Sequence, residues 1–381
     1  MTDAPAPDAV GLDGVIALNS SICLLSADDG RLAYRGYDVP TLAAQSTYEE
    51  TAALLLLGTL QTRSGLARFT TELRSLQKLG AATLKALKAI PADADPMASL
   101  RIAVATASIE DAVAVPPAPD EALRQGMRLV AMAPTAVAAA HRLRNGLRPV
   151  SPKKSQSFAA NFLLMLRGES PAAEDAHALD VALILRADNE LNPSTFAARV
   201  TASTGADVYG AVLAALSALA GPRHGWHSRN VMAVLEQIES AENVESWARP
   251  RLASGQKIAG FGHVVYRGAD PRTELLRSLT EATSARAGQG ALFETARTLE
   301  LLMAREAGQF PIVDYYLAVL YRALDIPTGL FTAVFAVSRM CGWVAHILEQ
   351  YGEPGLIRPR ARYVGPTERV YEPMRGRKRK A

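Results

Sequence analysis

One stretch decides how this sequence is interpreted: Lys257-Ile258-Ala259-Gly260-Phe261-Gly262-His263-Val264-Val265-Tyr266-Arg267-Gly268-Ala269-Asp270-Pro271-Arg272. Its first two glycines, Gly260 and Gly262, allow a tight turn and let the backbone approach a ligand closely. A histidine follows the second glycine directly, and an arginine ends an Asp-Pro-Arg turn nine residues later. A histidine beside cations is suited to polarise an oxygen and to hold an anion. In isolation, the same residues also fit a plain loop between helices, in which Gly and Pro only make the turns.

The chain on both sides of this stretch is predicted to be helical. Val265 stands where a dinucleotide-binding loop has its third glycine, and no strand precedes the stretch. Apolar residues recur instead at helical spacing, which predicts helices over Leu66–Leu79, Ala81–Ala89, Met97–Ser108, Glu121–Asn145, Ser155–Arg167, Ala176–Asn189, Ser194–Thr204 and Asp207–Leu219. More polar helices are expected over 228–308 and strongly apolar ones over 313–351. No alternation of strands and helices indicates a parallel sheet, so the predicted class is all-α.

Two local signals mark the N-terminal part. Asp28-Asp29-Gly30 is a turn signal between Ser21–Ser26 and Arg31–Arg35, and it predicts a small β-hairpin, the only β element expected. Ser46-Thr-Tyr-Glu49 has the form of a capping box at the start of a helix that Gly58 ends.

Composition excludes several classes of protein. The 381 residues carry a net charge of +3, too small to indicate a nucleic-acid surface, and the basic residues of 375–380 read as a solvated tail. Only two cysteines occur, Cys23 and Cys341, without the spacing of a disulfide framework or a zinc site. No signal peptide is visible, and the apolar runs are too short to span a bilayer. These features predict a cytoplasmic protein that binds neither nucleic acid nor membrane.

The pattern Gly-Phe-Gly-His-x-Val-Tyr-Arg-x-x-Asp-Pro-Arg resembles the most diagnostic stretch of the citrate synthase family, which includes the 2-methylcitrate synthases. Further matches run in family order from Gly11 to about Pro366. They are Gly11–Ala17, Tyr34–Asp38, Arg186–Phe196, Ser203–Asp207, Gly221–Gly225, Pro311–Tyr316, Ser338–His346 and Ile357–Tyr363. An ordered array of this kind is far more specific than any single motif.

The resemblance implies the family's two-domain helical fold with a small N-terminal β-hairpin. Residues 11–220 and 327–366 would form a discontinuous large domain, and 221–326 a small domain inserted into it. Residues 1–10 are expected to be a mobile tail and 367–381 a basic C-terminal tail. A homodimer is implied as well.

The resemblance also assigns the chemistry, which needs three groups and no metal. Asp314 would remove a proton from the methyl group of an acyl-CoA, His224 would stabilise the enol oxygen, and His263 would polarise the ketone. The apolar neighbours of Asp314 in sequence lead us to expect a raised pKa for its carboxyl group. His224 follows Gly-Pro at what resembles a helix N-terminus, where the dipole would keep its ring neutral.

Binding residues follow by the same resemblance. Arg272 and Arg339 occupy the family's carboxylate-binding positions, and Arg358 matches an arginine that the partner subunit supplies. The CoA-binding segment comprises Lys257, Ile258, Ala259, Gly260 and Phe261, together with Arg267. No bound cofactor is expected, because the acyl-CoA is a co-substrate. The remaining singleton histidines, His141, His177 and His346, are interpreted as structural or surface residues.

Some positions depart from the family pattern, and they keep three hypotheses open. Asn189 replaces a substrate-binding histidine, Trp226-His227-Ser228-Arg229 replaces Gly-Ala-Asn-Glu, and Gln77 replaces an arginine of some relatives. The first hypothesis is an acyltransferase that condenses acetyl-CoA, or another short acyl-CoA, with oxaloacetate to give citrate or 2-methylcitrate. The second keeps this chemistry but uses another 2-oxo acid. The third is a non-catalytic paralogue that binds acyl-CoA.

Overall fold

The fold described here is a computed structural model, which describes residues 12, 14–27, 29–112, 115–263, 265–266, 268–371 and 373–376. The predicted tail 1–10, Arg267 and part of the basic tail lie outside the described residues. The helices are α1 (Val39–Gln45), α2 (Tyr48–Leu57), α3 (Arg63–Ser75), α4 (Ala81–Lys88), α5 (Pro96–Glu110), α6 (Pro119–Arg144), α7 (Phe158–Arg167), α8 (Ala173–Leu185), α9 (Pro193–Ala202), α10 (Val208–Leu219), α11 (His227–Ile238), α12 (Val244–Ala253), α13 (Thr273–Arg286), α14 (Gly290–Ala307), α15 (Val313–Ala323) and α16 (Phe331–Gly352). The predicted all-α class is confirmed.

The predicted hairpin is present, and a third strand extends it. Strands β1 (Cys23–Leu25), β2 (Leu32–Tyr34) and β3 (Tyr37–Asp38) form one antiparallel sheet in the order β1-β2-β3. The two residues between β2 and β3, Arg35 and Gly36, both have positive φ, at 49° and 88°. This is the conformation of a two-residue hairpin turn whose twist suits the strands on either side. The Arg-Gly pair was the missed signal for β3.

The predicted capping box is wrong by one residue. Thr47, not Ser46, is the N-cap of α2, and its hydroxyl accepts a hydrogen bond from the Glu50 amide at 3.2 Å. Glu49 turns inward instead, where its carboxylate accepts from the Phe158 amide at 2.9 Å and so caps α7. Helix α2 ends as predicted, with Gly58 in the left-handed conformation.

Helix α16 forms the centre of the core. It is buried continuously from Phe331 to Ile347 and packs against α2, α6, α9 and α10. Its contact with α6 is close, since a Cβ built on Gly126 would lie 2.2 Å from Val344 Cγ1. Among the described residues, Thr328–Gly352 is the one segment long and apolar enough to cross a bilayer, and the fold buries that window completely. Burial of this kind is typical of a core helix.

Helix α15 carries the residue predicted to be the base. It packs against α11 and α13, and both α13 and α15 also contact α8. The elements on either side of the predicted domain boundaries therefore meet around α15 and the end of α8. The boundaries themselves remain a prediction.

Asp180, a buried acid in α8, gives a testable prediction about stability. The Asp180 carboxylate accepts from the Tyr48 amide at 3.1 Å, while its second oxygen has no hydrogen-bond partner. Burial, and then the nearby Glu49 carboxylate, raise the pKa of Asp180 from 3.8 to about 7. The folded state therefore keeps a proton that the unfolded chain loses, so this contribution to stability is complete below about pH 4 and is lost as the pH rises through about 7.

We therefore expect Asp180→Asn to make the free energy of unfolding less dependent on pH over this range. Asparagine keeps the acceptor for Tyr48 and removes the charge, so the variant should be more stable than the wild type at pH 8, by on the order of a few kcal/mol. Urea unfolding at pH 5 and pH 8 measures both values. Equal losses of stability for the two proteins between these pH values would show that Asp180 does not titrate there.

Candidate active site

Asp314 lies in the first turn of α15, with a buried side chain. One of its oxygens, Oδ1, accepts two hydrogen bonds. The Ser228 hydroxyl donates to it at 2.7 Å, and the Arg186 guanidinium donates through Nη1 at 2.8 Å. Arg186 directly follows α8, and Ser228 lies in the first turn of α11. Three elements distant in sequence therefore meet at this carboxylate.

The expected raised pKa of Asp314 is wrong. Burial does act to raise the pKa, but the Arg186 and His227 charges and the Ser228 hydrogen bond outweigh it and lower the pKa to about 2. The prediction considered only the neighbours of Asp314 in sequence, which are apolar. Arg186 precedes it by 128 residues. The carboxyl group is consequently ionised at neutral pH and is a weak base.

His224 has a neutral ring, for a reason different from the one expected. It lies in a turn three residues before α11 begins, and its amide donates to the Gly221 carbonyl at 3.0 Å. Burial lowers its pKa to about 3, with further contributions from the cations of Arg339 and other neighbours. Burial and nearby cations hold the imidazole neutral.

Ser194 contacts one nitrogen of the His224 ring. Its hydroxyl donates to the Asn192 amide oxygen at 2.7 Å, lies 2.8 Å from His224 Nε2 and accepts from Trp343 Nε1 at 3.1 Å. When the single hydroxyl proton turns to His224 instead, the proton of the neutral ring lies on Nδ1. In that state Nδ1 is a hydrogen-bond donor.

The geometry of the glycine loop determines which ring nitrogen of His263 is the hydrogen-bond donor. Its Nδ1 accepts hydrogen bonds from the Val265 and Tyr266 amides at 3.0 and 3.1 Å. Burial lowers the pKa of the ring, and Arg272 lowers it further. The neutral ring therefore carries its proton on Nε2, which can donate to a ligand.

Two backbone pairings hold the histidine loop against the start of α15. The Gly262 amide donates to the Phe310 carbonyl at 3.1 Å, and the Ile312 amide donates to the Gly260 carbonyl at 2.9 Å. Gly260 has a φ of 95°, and a Cβ there would lie 2.6 Å from Tyr315 Cδ2, so only glycine fits.

The structure brings the three predicted catalytic residues into one electrostatic neighbourhood. The carboxylate of Asp314 acts on both His224 and His263, partly opposing the lowering of each pKa. In this arrangement the carboxylate can accept a proton, and each of the two neutral histidines can donate one hydrogen bond.

Two of the predicted binding arginines lie at the same site. Arg272 is buried and forms a two-bond ion pair with Asp270, at 2.7 and 2.8 Å, and its Nη1 reaches Asn189 Oδ1 at 3.4 Å. Arg339 is also buried, with Nε donating to the Arg186 carbonyl at 2.9 Å. Its Nη1 is buried and has no hydrogen-bond partner among the residues that the structure describes, so it is suited to bind an anion.

Arg358 lies elsewhere in the single chain. It is exposed and lines a groove of about 490 Å³ together with Arg199 and Gln350, and none of the three proposed catalytic residues lines that groove. In the proposed CoA segment, Ile258 and Gly260 are buried, Ala259 and Phe261 are half-buried, and Lys257 is exposed. Sequence reasoning did not assign roles to Arg186, Ser194 or Ser228, although each lies in or beside a motif that it quoted.

Comparisons with known proteins place these features in a family. The sequence model described as "Citrate synthase, C-terminal domain" matches residues 11–360. The chain is 39% identical to "Citrate synthase 2" of Bacillus subtilis, covering 96% of this chain and 98% of the relative. It is 34% identical to the 2-methylcitrate synthase of Shewanella oneidensis, covering 99% and 100%.

Solved structures agree with these sequence relatives. One is the ternary complex of carboxymethyl coenzyme A and oxaloacetate with the citrate synthase of the thermophilic archaeon Thermoplasma acidophilum. It is 31% identical in sequence and has a TM-score of 0.91, covering 97% of this chain and 99% of that one. The citrate synthase of Thermotoga maritima is 36% identical, with a TM-score of 0.86 over 97% and 99%.

Proposed function

This chain belongs to the citrate synthase family, and from that membership we propose how its own residues carry out the family's reaction. The chain is an acyltransferase of the citrate synthase type. It condenses acetyl-CoA, or another short acyl-CoA, with oxaloacetate and releases CoA. Relatives named citrate synthase and 2-methylcitrate synthase are similar at 39% and 34% identity. The two products differ by one methyl group, which a pocket distinguishes by only about 1–3 kcal/mol.

In the proposed first step, Asp314 takes a proton from the carbon next to the thioester carbonyl. The C–H bond breaks, and its electron pair shifts to give the enolate, whose oxygen receives a hydrogen bond from His224 Nδ1. The Ser194 hydroxyl supports this role when it donates to His224 Nε2, because the ring proton then lies on Nδ1. The observation that carries the proposal is the electrostatic effect of the Asp314 carboxylate on both His224 and His263, together with the backbone pairing of the His263 loop against residues 310–312.

In the second step the enolate carbon attacks the ketone of the acceptor. His263 donates from Nε2 to the ketone oxygen and supplies the proton as the new C–C bond forms. Water then attacks the thioester carbonyl: one of its protons restores His263, its hydroxyl forms the new carboxyl group, and CoA leaves as a thiol with the proton that Asp314 took. Closure of the small domain over the large one would exclude bulk water during the condensation.

Cations around the site support binding of a dicarboxylate acceptor. Arg272 and Arg339 would bind its carboxylates, and Asn189, beside Arg272, would donate one neutral hydrogen bond. The segment 257–261 and Arg267 would bind CoA, with backbone groups reading the adenine and cations meeting the phosphates.

We propose a homodimer in which Arg358 completes the partner's acceptor site. Several apolar side chains near the ends of the described chain are almost fully exposed, which is unusual for a surface that faces only water. Ile16 is 89% exposed, Val364 90% and Val370 92%. We also place the enzyme in the cytoplasm, since its two cysteines are free and buried, which suits a reducing compartment.

Assays of CoA release with acetyl-CoA and propionyl-CoA against a panel of 2-oxo acids test this function. We expect oxaloacetate to be the best acceptor by a wide margin. A different preferred acceptor would favour the second hypothesis, which the substitution at Asn189 motivates. Retained CoA binding without turnover for any pair would favour a non-catalytic paralogue.

Restoring a histidine at position 189 tests the acceptor site directly. Asn189→His should lower the KM for oxaloacetate, because a charge-assisted hydrogen bond contributes about 1.5–3 kcal/mol, or roughly ten- to a hundredfold. The KM for the acyl-CoA should stay nearly constant. Asn145→His, at the end of α6, is the matched control and should change neither constant. An unchanged oxaloacetate KM in Asn189→His would show that Asn189 does not contact the acceptor.

A further inference from the structure

We propose that Arg186 and Ser228 are positioning residues for the base: they hold one oxygen of Asp314 so that the other is presented to the acyl-CoA. This inference rests on the proposed role of Asp314. It assigns a task to two residues of this chain that the reaction scheme above leaves unused.

The contact has the form of a closed triangle. Ser228 Oγ and Arg186 Nη1 both donate to Asp314 Oδ1, at 2.7 and 2.8 Å, and Arg186 Nη1 lies 3.2 Å from Ser228 Oγ. All three side chains are buried, Arg186 being 3% exposed. The triangle joins the end of α8 to the first turns of α11 and α15.

Arg186 is itself held in place by Phe335 and Arg339. Its Cζ lies 3.5 Å from the centroid of the Phe335 ring on α16, a close cation–π contact. Its carbonyl accepts from Arg339 Nε at 2.9 Å, so the backbone that carries the guanidinium is also fixed. The side chain cannot swing away from Asp314 without giving up the contact with Phe335 and leaving a buried carboxylate without a cation.

Asp314 Oδ2 receives no hydrogen bond from any residue that the structure describes. A carboxylate with one oxygen bound twice presents its open oxygen in a fixed direction. Proton transfer requires this kind of alignment, and a misplacement of about 1 Å can lower a rate by about a hundredfold. Arg186 also makes the Asp314 carboxylate a weaker base. The same contact fixes the direction of the open oxygen.

The proton step balances on this geometry. The C–H bond next to the thioester carbonyl breaks, its proton forms a bond to Asp314 Oδ2, and the electron pair moves to the thioester oxygen. Asp314 becomes neutral while remaining bound through Oδ1. The positive charge of Arg186 then lies beside the negative charge that develops on the substrate.

Three substitutions separate positioning from a merely structural role. Arg186→Gln removes the charge and the planar guanidinium group. Arg186→Lys keeps the charge and changes the geometry of the contact. Ser228→Ala removes the hydroxyl that donates to Asp314 Oδ1. Arg167→Gln is the control, because Arg167 forms a partly buried ion pair with Asp175 away from the site. The readouts are kcat and KM as functions of pH, with thermal unfolding measured on each protein.

We expect Arg186→Gln to lower kcat by about ten- to a hundredfold with little change in either KM. The acid limb of its kcat profile should move to higher pH, because the pKa of Asp314 rises. Ser228→Ala should move the acid limb of the kcat profile to higher pH as well, but by a smaller amount. If Arg186→Gln does not fold, Ser228→Ala is the variant that decides the test. Arg186→Lys should leave the acid limb at the pH of the wild type and should lower kcat. The control should lose stability only.

A pH profile of Arg186→Gln, or of Ser228→Ala if only that variant folds, that superimposes on the wild type would overturn the proposal. So would a loss confined to KM. An NMR titration of the Asp314 carboxyl group without substrate measures the same contact independently of turnover. An unmoved titration in an active enzyme refutes the positioning role, whereas a wild type without turnover refutes the proposed function instead.

Discussion

Asp314→Asn is expected to lower kcat for CoA release by about 10²–10⁴-fold, the usual contribution of a general base. Asparagine has nearly the same shape and can still accept from Ser228, but it cannot take a proton from the acyl-CoA. The KM values should change little, because the substitution leaves the binding arginines in place. The measurement is steady-state release of CoA from acetyl-CoA with saturating oxaloacetate.

Asp325→Asn is the matched control for this substitution. Asp325 is exposed just beyond the other end of α15, with a φ of 52° that asparagine also adopts, so its variant should keep full activity. Stability needs a separate measurement, since Asp314→Asn leaves Arg186 as a buried unpaired cation. We expect this to lower the free energy of unfolding by about 3–5 kcal/mol. Activity of the folded Asp314→Asn protein within threefold of wild type would remove Asp314 from the mechanism.

Arg272→Gln is expected to lower the free energy of unfolding by about 3–5 kcal/mol, the usual penalty for breaking a buried ion pair from one side. Asp270 has a fully buried side chain that pairs with Arg272 and also accepts from the Val313 amide at 3.1 Å. The substitution therefore loosens the loop that carries His263 and the first turn of α15 together. It should also raise the KM for oxaloacetate, because a carboxylate-binding cation is lost.

Urea unfolding of two further proteins tests this expectation. Arg277→Gln, one turn further along α13, removes a more exposed arginine paired with Glu274 and Glu300, so it should lose about 1 kcal/mol or less. Asp270→Asn combined with Arg272→Gln should recover part of the lost stability, since neither charge is then left alone. A loss for Arg272→Gln no larger than that for Arg277→Gln would contradict the account of this pair.

Sequence motifs located most of the candidate site because its residues come in short segments with strict local requirements. The Gly260–Gly262 turn, the Asp270–Arg272 turn and the segment that begins at Pro311 each need particular residues, so each is visible in one dimension. The all-α class was visible for a similar reason, since helical spacing of apolar residues is a local property.

What the sequence did not reveal depends on contacts between distant segments. The pKa of Asp314 follows from Arg186 and Ser228, which no local pattern connects to it. The neutrality of His224 was predicted correctly, but its main cause is burial, which only the packed structure defines. The N-cap of α2 was placed one residue early and β3 was missed for smaller reasons: Ser46 is by type at least as good a cap as Thr47, and an Arg-Gly turn is a weak signal.

Co-crystallisation with oxaloacetate and carboxymethyl coenzyme A, an unreactive analogue of the acyl-CoA, tests the central claim most directly. We predict that the analogue's carboxyl group, which takes the position of the methyl carbon that loses the proton, lies about 3–3.5 Å from Asp314 Oδ2. The analogue's carboxylate should meet His224, and the oxaloacetate ketone should meet His263 Nε2. Both ligands bound away from these three side chains, in a crystal of the active protein, would contradict the claim.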